Sequence, residues 1–173
     1  MQLSSSEIDL YSGDQKTLNA SATRSEMAAS GIVWESSDTS VAAVNGSGVV
    51  TAKNPGTATI TCYGKNARGI RATCKVTVKL RQITGVKLVS KAFNRIRISW
   101  KAVSGCNRYA IYRWDERGNS KKMAIVTADV VTWQDTAVKT GSTYTYRIRA
   151  FYVRSGKKTV YGAASSPLSL IHI

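Results

Sequence analysis

The chain carries one histidine, His172, next to its last residue, together with three cysteines and ten carboxylates in 173 residues. A lone imidazole at that position leaves no Ser-His-Asp or Cys-His arrangement in the folded body and no ordinary zinc constellation. The carboxylates are scattered and form no pair of the kind glycoside hydrolysis needs. The loops lack the closely spaced carboxylates that calcium takes. Neither a phosphate-binding loop nor a dinucleotide fingerprint occurs. These residue types predict a chain that is not an enzyme and imply no metal and no cofactor.

Two sets of side chains keep some chemical interest. Cys62 and Cys74 fall on neighbouring strand-like runs with the same inward parity. Opposed directly, they would also set residue 60 against 76 and 58 against 78, with every inward residue apolar, a self-consistent register. A bridge there would close a 13-residue loop and contribute roughly 3 kcal/mol through chain entropy. The other reading is two buried thiols acting as small hydrophobes, and residue type leaves both open. Cys106, in a turn further on, reads as a free thiol. The second set is Tyr112, Trp114, Arg147, Arg149 and Phe151, which share the outward parity of two strands. Aromatic rings beside guanidinium groups can stack on sugars or hold an anionic polymer. They can equally form cross-strand cation–π pairs that stabilise an exposed sheet, or pack on a neighbouring domain.

The elements that must position these groups are strands. Ile8 and Leu10 precede a turn at Ser12-Gly13-Asp14, and Leu18, Ala20 and Ala22 alternate with polar residues. Ile32 and Trp34, Val41 and Val44, and Val49 and Val50 follow. Asn45-Gly46 predicts a tight hairpin in which both residues take positive φ. Asn54-Pro55-Gly56 predicts a second turn, before Ala58, Ile60 and Cys62 and their return through Ala72, Cys74, Val76 and Val78. Residues 23–30 are the one short helix candidate. The second half predicts seven strands, among them Ile96-Ile98-Trp100, Tyr109-Ile111, Tyr144-Tyr146-Ile148-Ala150 and a last one over 159–164.

Charge divides the chain. Residues 1–80 hold eight Lys/Arg against six Asp/Glu, and residues 81–173 hold seventeen against four. The break predicts two domains, 1–80 and 81–173, with attraction to polyanions concentrated in the second. Between them, residues 78–83 contain neither Gly nor Pro, so a joint of about four residues reaches only about 13–14 Å. Such a joint predicts two modules set end to end with restricted bending. No run of about 18 apolar residues occurs, so no membrane insertion is predicted for this segment. The first twelve residues lack the basic start and apolar core of a signal peptide.

Val33-Trp34-Glu35-Ser36-Ser37-Asp38, Val41-Ala42, Gly48-Val49-Val50-Thr51-Ala52, Gly56-Thr57-Ala58-Thr59-Ile60 and Val76-Thr77-Val78 resemble the group 2 bacterial immunoglobulin-like domain in order and spacing. Ile98-Ser99-Trp100, the stretch 105–113, Asp135 and the stretch 141–150 look like a fibronectin type III domain. The resemblance implies an all-β chain of two tandem immunoglobulin-like β-sandwiches. It places Trp34 and Trp100 in the cores and implies a tyrosine corner at Tyr144. It also places the strands carrying Tyr112, Trp114, Arg147, Arg149 and Phe151 side by side in one sheet.

The function implied is a non-catalytic, extracellular or cell-surface module pair of a longer bacterial protein. It acts as a structural spacer, with adhesion as an added role. Its partners would be the flanking domains and cell-wall or host glycans or anionic polymers. No specific nucleic acid is implied, since neither family supplies a groove-reading element. The alternative is a carbohydrate- or cell-wall-binding accessory of a larger secreted enzyme. A weaker third reading is a phage or virion surface decoration.

Overall fold

The computed structural model describes residues 1–22, 31–65 and 67–172. The helix candidate at 23–30 lies outside them. All regular structure among the described residues is strand. The chain divides into two compact units, Met1–Lys79 and Leu80–Ile173.

The first unit contains β1 (Gln2–Leu3), β2 (Glu7–Tyr11), β3 (Gln15–Thr17), β4 (Ala20–Ser21), β5 (Ile32–Ser36), β6 (Ala42–Val44), β7 (Val49–Ala52), β8 (Gly56–Gly64) and β9 (Ala67–Lys79). A four-stranded sheet in the order β2-β9-β8-β5 faces a three-stranded one, β3-β7-β6, and β1 pairs with β4. The turn at Ser12-Gly13-Asp14, with Gly13 at φ 94°, moves the chain from the first sheet to the second. For that reason β2 lies parallel to β9 while the other ladders are antiparallel. Alternation places Val50, Ala58, Ile60, Cys74, Val76 and Val78 in one buried cluster, with Trp34 packed against it.

The hairpin between β6 and β7 differs from the expected two-residue turn. Neither Asn45 nor Gly46 has positive φ; Gly48 does, at 77°. Gly48 N–H donates to Asn45 O, while the Asn45 side chain accepts from the amides of Ser47 and Val49. A longer turn closed by a left-handed glycine satisfies these amides. Asn45 serves through its side chain rather than its backbone freedom. At the preceding turn, between β5 and β6, Asp38 accepts from the Ser40 amide and hydroxyl, as its type suggests for an Asx turn.

The β8–β9 register also differs from the one expected. Cys62 stands opposite Ala72, and Cys74 stands opposite Ile60. The inward parity is right and the pairing is displaced by two residues. Diagonal neighbours at this offset have Cα atoms about 7–8 Å apart, beyond disulfide reach. Cys62 and Cys74 are free and buried, and Cys106 is free and partly buried. Burial pushes all three thiols up from their ordinary pKa, which holds them protonated.

The second unit contains β10 (Lys87–Ala92), β11 (Arg95–Ser99), β12 (Arg108–Trp114), β13 (Ser120–Thr127), β14 (Thr132–Asp135), β15 (Thr143–Tyr152), β16 (Val160–Ala164) and β17 (Leu168–Ile171). One sheet is β10-β11-β14. The other is β13-β12-β15-β16, with β17 also on β15. The strand expected last is thus followed by β17. Pro167 has no N–H to give to a ladder, and Ser165 bridges the break: its amide donates to Ile148 O and its hydroxyl accepts from Ile148 N–H. Trp100 and Tyr109 meet edge to face, centroids 5.5 Å apart, in a core that includes Ile96, Ile98, Ile111 and Ile148.

Candidate functional site

Arg113, Asp135 and Tyr146 of the second unit bond to one another, whereas the buried Trp100 Nε1 and His172 Nδ1 have no hydrogen-bond partner among the described residues. Strand alternation turns Arg113 inward, where its Nη1 donates to Asp135 Oδ2 and to Ala137 O, both at 2.8 Å. The hydroxyl of Tyr146 donates to the same Asp135 oxygen, also at 2.8 Å, and the amide of Ala137 donates to Asp135 Oδ1. Asp135 is 1% exposed, so this buried carboxylate balances the charge of the partly buried Arg113 guanidinium. Burial, with Asp135 alongside, pushes the Tyr146 hydroxyl far up. The Arg113 guanidinium lies 4.7 Å from the Tyr144 ring centroid. Tyr144 Oη accepts from the Lys139 amide five residues upstream, the tyrosine corner implied by the sequence. Tyr109 makes a similar closure onto the Val103 amide, and burial pushes its pKa up to about 12.

His172 is fully buried, although it stands next to the chain end. Its Nε2 lies 2.8 Å from Phe93 O, and its backbone exchanges hydrogen bonds with Gly141 and Ser142. These contacts make it a structural anchor of the β15–β17 region. Among the described residues no three His, Cys, Asp or Glu side chains gather as a metal-binding group.

The five residues singled out in the sequence divide into two groups on one outer face. Tyr112 stands directly opposite Arg147, and Trp114 opposite Thr145. The Tyr112 and Trp114 rings are 6.2 Å apart at a 43° tilt, and Arg147 Cζ lies 5.7 Å from the Trp114 ring centroid. Beside them a cleft of about 410 Å³ is lined by Trp114, Asp115, Glu116, Gly118, Thr145 and Arg147. Two residues along β15 from Arg147, Arg149 lies 4.7 Å from the Tyr161 ring centroid and donates from Nε to Gly162 O. Phe151 has the outward parity but is only 5% exposed, because it stacks against Tyr161 at 5.3 Å. Its expected place among the accessible contact residues is therefore corrected: Phe151 supports Tyr161.

Three further members of this face escaped the sequence reading. Tyr161 is 50% exposed and reaches the face through the pairing of β16 with β15. Lys122, exposed, stands opposite Tyr112 on its other side, and exposed Arg108 stands opposite Phe151. A bulge beside Tyr112 decides that Lys122 rather than Met123 shares its face. Simple alternation along β13 carries no sign of that shift.

Antiparallel strands in a three-stranded sheet facing a larger sheet, with a tyrosine corner and a buried tryptophan, define an immunoglobulin-type sandwich. Residues 1–76 match the family model of the bacterial Ig-like domain (group 2). An uncharacterized protein of Clostridium acetobutylicum is 36% identical over 76 residues, covering 44% of this chain and 8% of that protein. The chain is similar in structure to a two fibronectin type-III domain segment from chicken tenascin, with TM-score 0.53 and 16% identity, covering 71% of this chain and 69% of that one. It is also similar to an Fn3-like protein from Clostridium thermocellum, with TM-score 0.41 and 26% identity, covering 50% of this chain and 86% of that one. The chain is a tandem of two immunoglobulin-type β-sandwiches. The first matches the group 2 bacterial Ig-like domain, and the second is fibronectin type III-like. Domains of these kinds are generally non-catalytic and typical of extracellular or surface proteins. Among the described residues no helix is long and apolar enough to cross a membrane.

Proposed function

We propose that this chain is a non-catalytic module pair of a longer extracellular bacterial protein, in which it spaces flanking domains and adds adhesion through its second unit. The observation that carries this reading is the match of the first unit to the group 2 bacterial Ig-like domain. The interior chemistry of the second unit supports it. The Arg113–Asp135–Tyr146 cluster and the two tyrosine closures bond the fold to itself, so these groups serve folding. The expected result is that an antibody raised against the chain labels intact cells of the bacterium that makes it. Labelling only after lysis would contradict the proposal.

The accessory-module reading has one specific observation in its favour. Tyr112, Trp114, Arg147, Arg149 and Tyr161 share one outer face, with Arg149 braced against Tyr161 and Gly162. A face that brings aromatic and cationic groups together before any ligand arrives suits binding, because less side-chain freedom is lost on contact. Under this reading an enzyme domain would lie elsewhere in the longer protein.

A further inference from the structure

Across the outer face of the larger sheet of the second unit, Lys122, Tyr112 and Arg147 form one row on three neighbouring strands. Lys122 and Arg147 are therefore about 10 Å apart, two strand spacings, with an aromatic ring between them. Trp114 continues the aromatic line along β12, and Arg149 continues the cationic line along β15, where Tyr161 flanks it. Neither β12 nor β15 contributes a carboxylate to this face. Asp115 and Glu116 line the cleft at the Trp114 end of this face, and each nearby acid is hydrogen-bonded within the fold. Asp135 is buried with Arg113, Asp115 holds the amides of Arg117 and Asn119, and Glu116 accepts from the Thr143 amide. A unit with seventeen Lys/Arg and four Asp/Glu thus presents cations here without acidic neighbours on the same two strands.

We propose that this face binds an acidic polysaccharide, a glycan chain carrying carboxylate groups, with Tyr112 and Trp114 under sugar rings and Lys122, Arg147 and Arg149 on the carboxylates. Both kinds of group decide the choice. A polyol phosphate would use the cations and leave the rings without a partner, and a neutral glycan would use the rings and leave the cations. A single-stranded nucleic acid uses rings and cations together. The polysaccharide is favoured over it because the first unit matches a domain typical of extracellular or surface proteins. The row across three strands also gives a linear chain a path along which ring and charge alternate. Guanidinium groups match carboxylates in pairs of parallel hydrogen bonds, so Arg147 can leave the Trp114 ring for a carboxylate while the ring takes the adjoining sugar.

The proposal rests on the extracellular reading above, and the two can fail separately. A chain that labels on intact cells but binds no acidic glycan removes only the polymer. The test titrates the whole chain with polygalacturonate, the same polymer fully methyl-esterified, poly(glycerol phosphate) and oligo-dT. Binding to polygalacturonate is expected, with affinity at least about tenfold weaker for the other three. Tyr112→Ala and Trp114→Ala should each weaken binding about tenfold. Arg147→Gln, at an exposed position where folding is not at risk, should do the same and also reduce the dependence on salt. Lys157→Gln with Lys158→Gln, outside the sheet, should change nothing. Equal affinity for all polyanions, tighter binding of oligo-dT, or indifference to Tyr112→Ala, Trp114→Ala and Arg147→Gln would each overturn the proposal.

Discussion

Asp135→Ala is expected to destabilise the second unit by about 2–4 kcal/mol, because it leaves the partly buried guanidinium of Arg113 without its counter-charge and two further donors without their acceptor. The carboxylate has three donors: Arg113 Nη1 and the Tyr146 hydroxyl on one oxygen, and the Ala137 amide on the other. It is also nearly inaccessible to water. The loss therefore removes a hub rather than one bond, and water has little room to replace it. Asp135→Asn keeps acceptor oxygen for the Ala137 amide or the Tyr146 hydroxyl and should cost less. Urea unfolding followed by near-ultraviolet circular dichroism reads the effect. One transition should move to lower denaturant while the one belonging to residues 1–79 stays. Equal stability of Asp135→Ala and the parent would mean that Arg113 finds another partner, against the geometry described.

The second large effect is expected in the first unit. Gly48 sits at φ 77°, and a Cβ added there would lie 2.4 Å from Leu18 O and 2.7 Å from Trp34 Cζ2. The left-handed backbone penalises a side chain by about 1–2 kcal/mol, and the forced displacement of the Trp34 ring adds about 1–3 kcal/mol. Gly48→Ala should thus cost about 2–5 kcal/mol in all. Gly46→Ala, two residues away, meets nothing within 4 Å and has no positive φ, so it should be close to neutral. Thermal unfolding of the two variants separates them. A Gly46→Ala loss as large as that of Gly48→Ala would restore the tight Asn-Gly turn suggested by the sequence.

That pair of glycines illustrates what residue types can and cannot carry. An Asn-Gly step marks a chain reversal well, but the turn is selected by where the flanking strands must pair. Here Val49 and Val50 meet Thr17 and Lys16, as well as Val44 in the case of Val50, and the reversal takes four residues. The β8–β9 register carries the same lesson. A shift of one residue would turn every apolar side chain to the wrong face, so parity was legible. A shift of two keeps every apolar residue inward, so Cys62 opposite Cys74 and Cys62 opposite Ala72 look alike in sequence. The choice is made by the end of the hairpin, where the pairing shifts between Tyr63 and Gly64.

The placement of residues on the second unit's outer face was legible to the same degree. Outward parity and strand adjacency located Tyr112, Trp114, Arg147 and Arg149, because both follow from period-two alternation and an immunoglobulin-like topology. Phe151 obeyed the parity and still became buried, since its exposure depends on Tyr161 arriving from β16. Lys122 depended on a bulge. Arg113 carried a clear but unused signal: an arginine at the inward parity of a core strand, with an aspartate in the same module, calls for a buried pair.

Under the proposed function, interior groups of both units serve folding and the outer face of the second serves adhesion. The measurement that tests this division most directly is retention on isolated bacterial cell walls after exchanging one unit at a time for an unrelated sandwich of similar size. Retention should survive exchange of residues 1–79 and disappear on exchange of residues 80–173. Retention that follows residues 1–79, or that persists without residues 80–173, would contradict it.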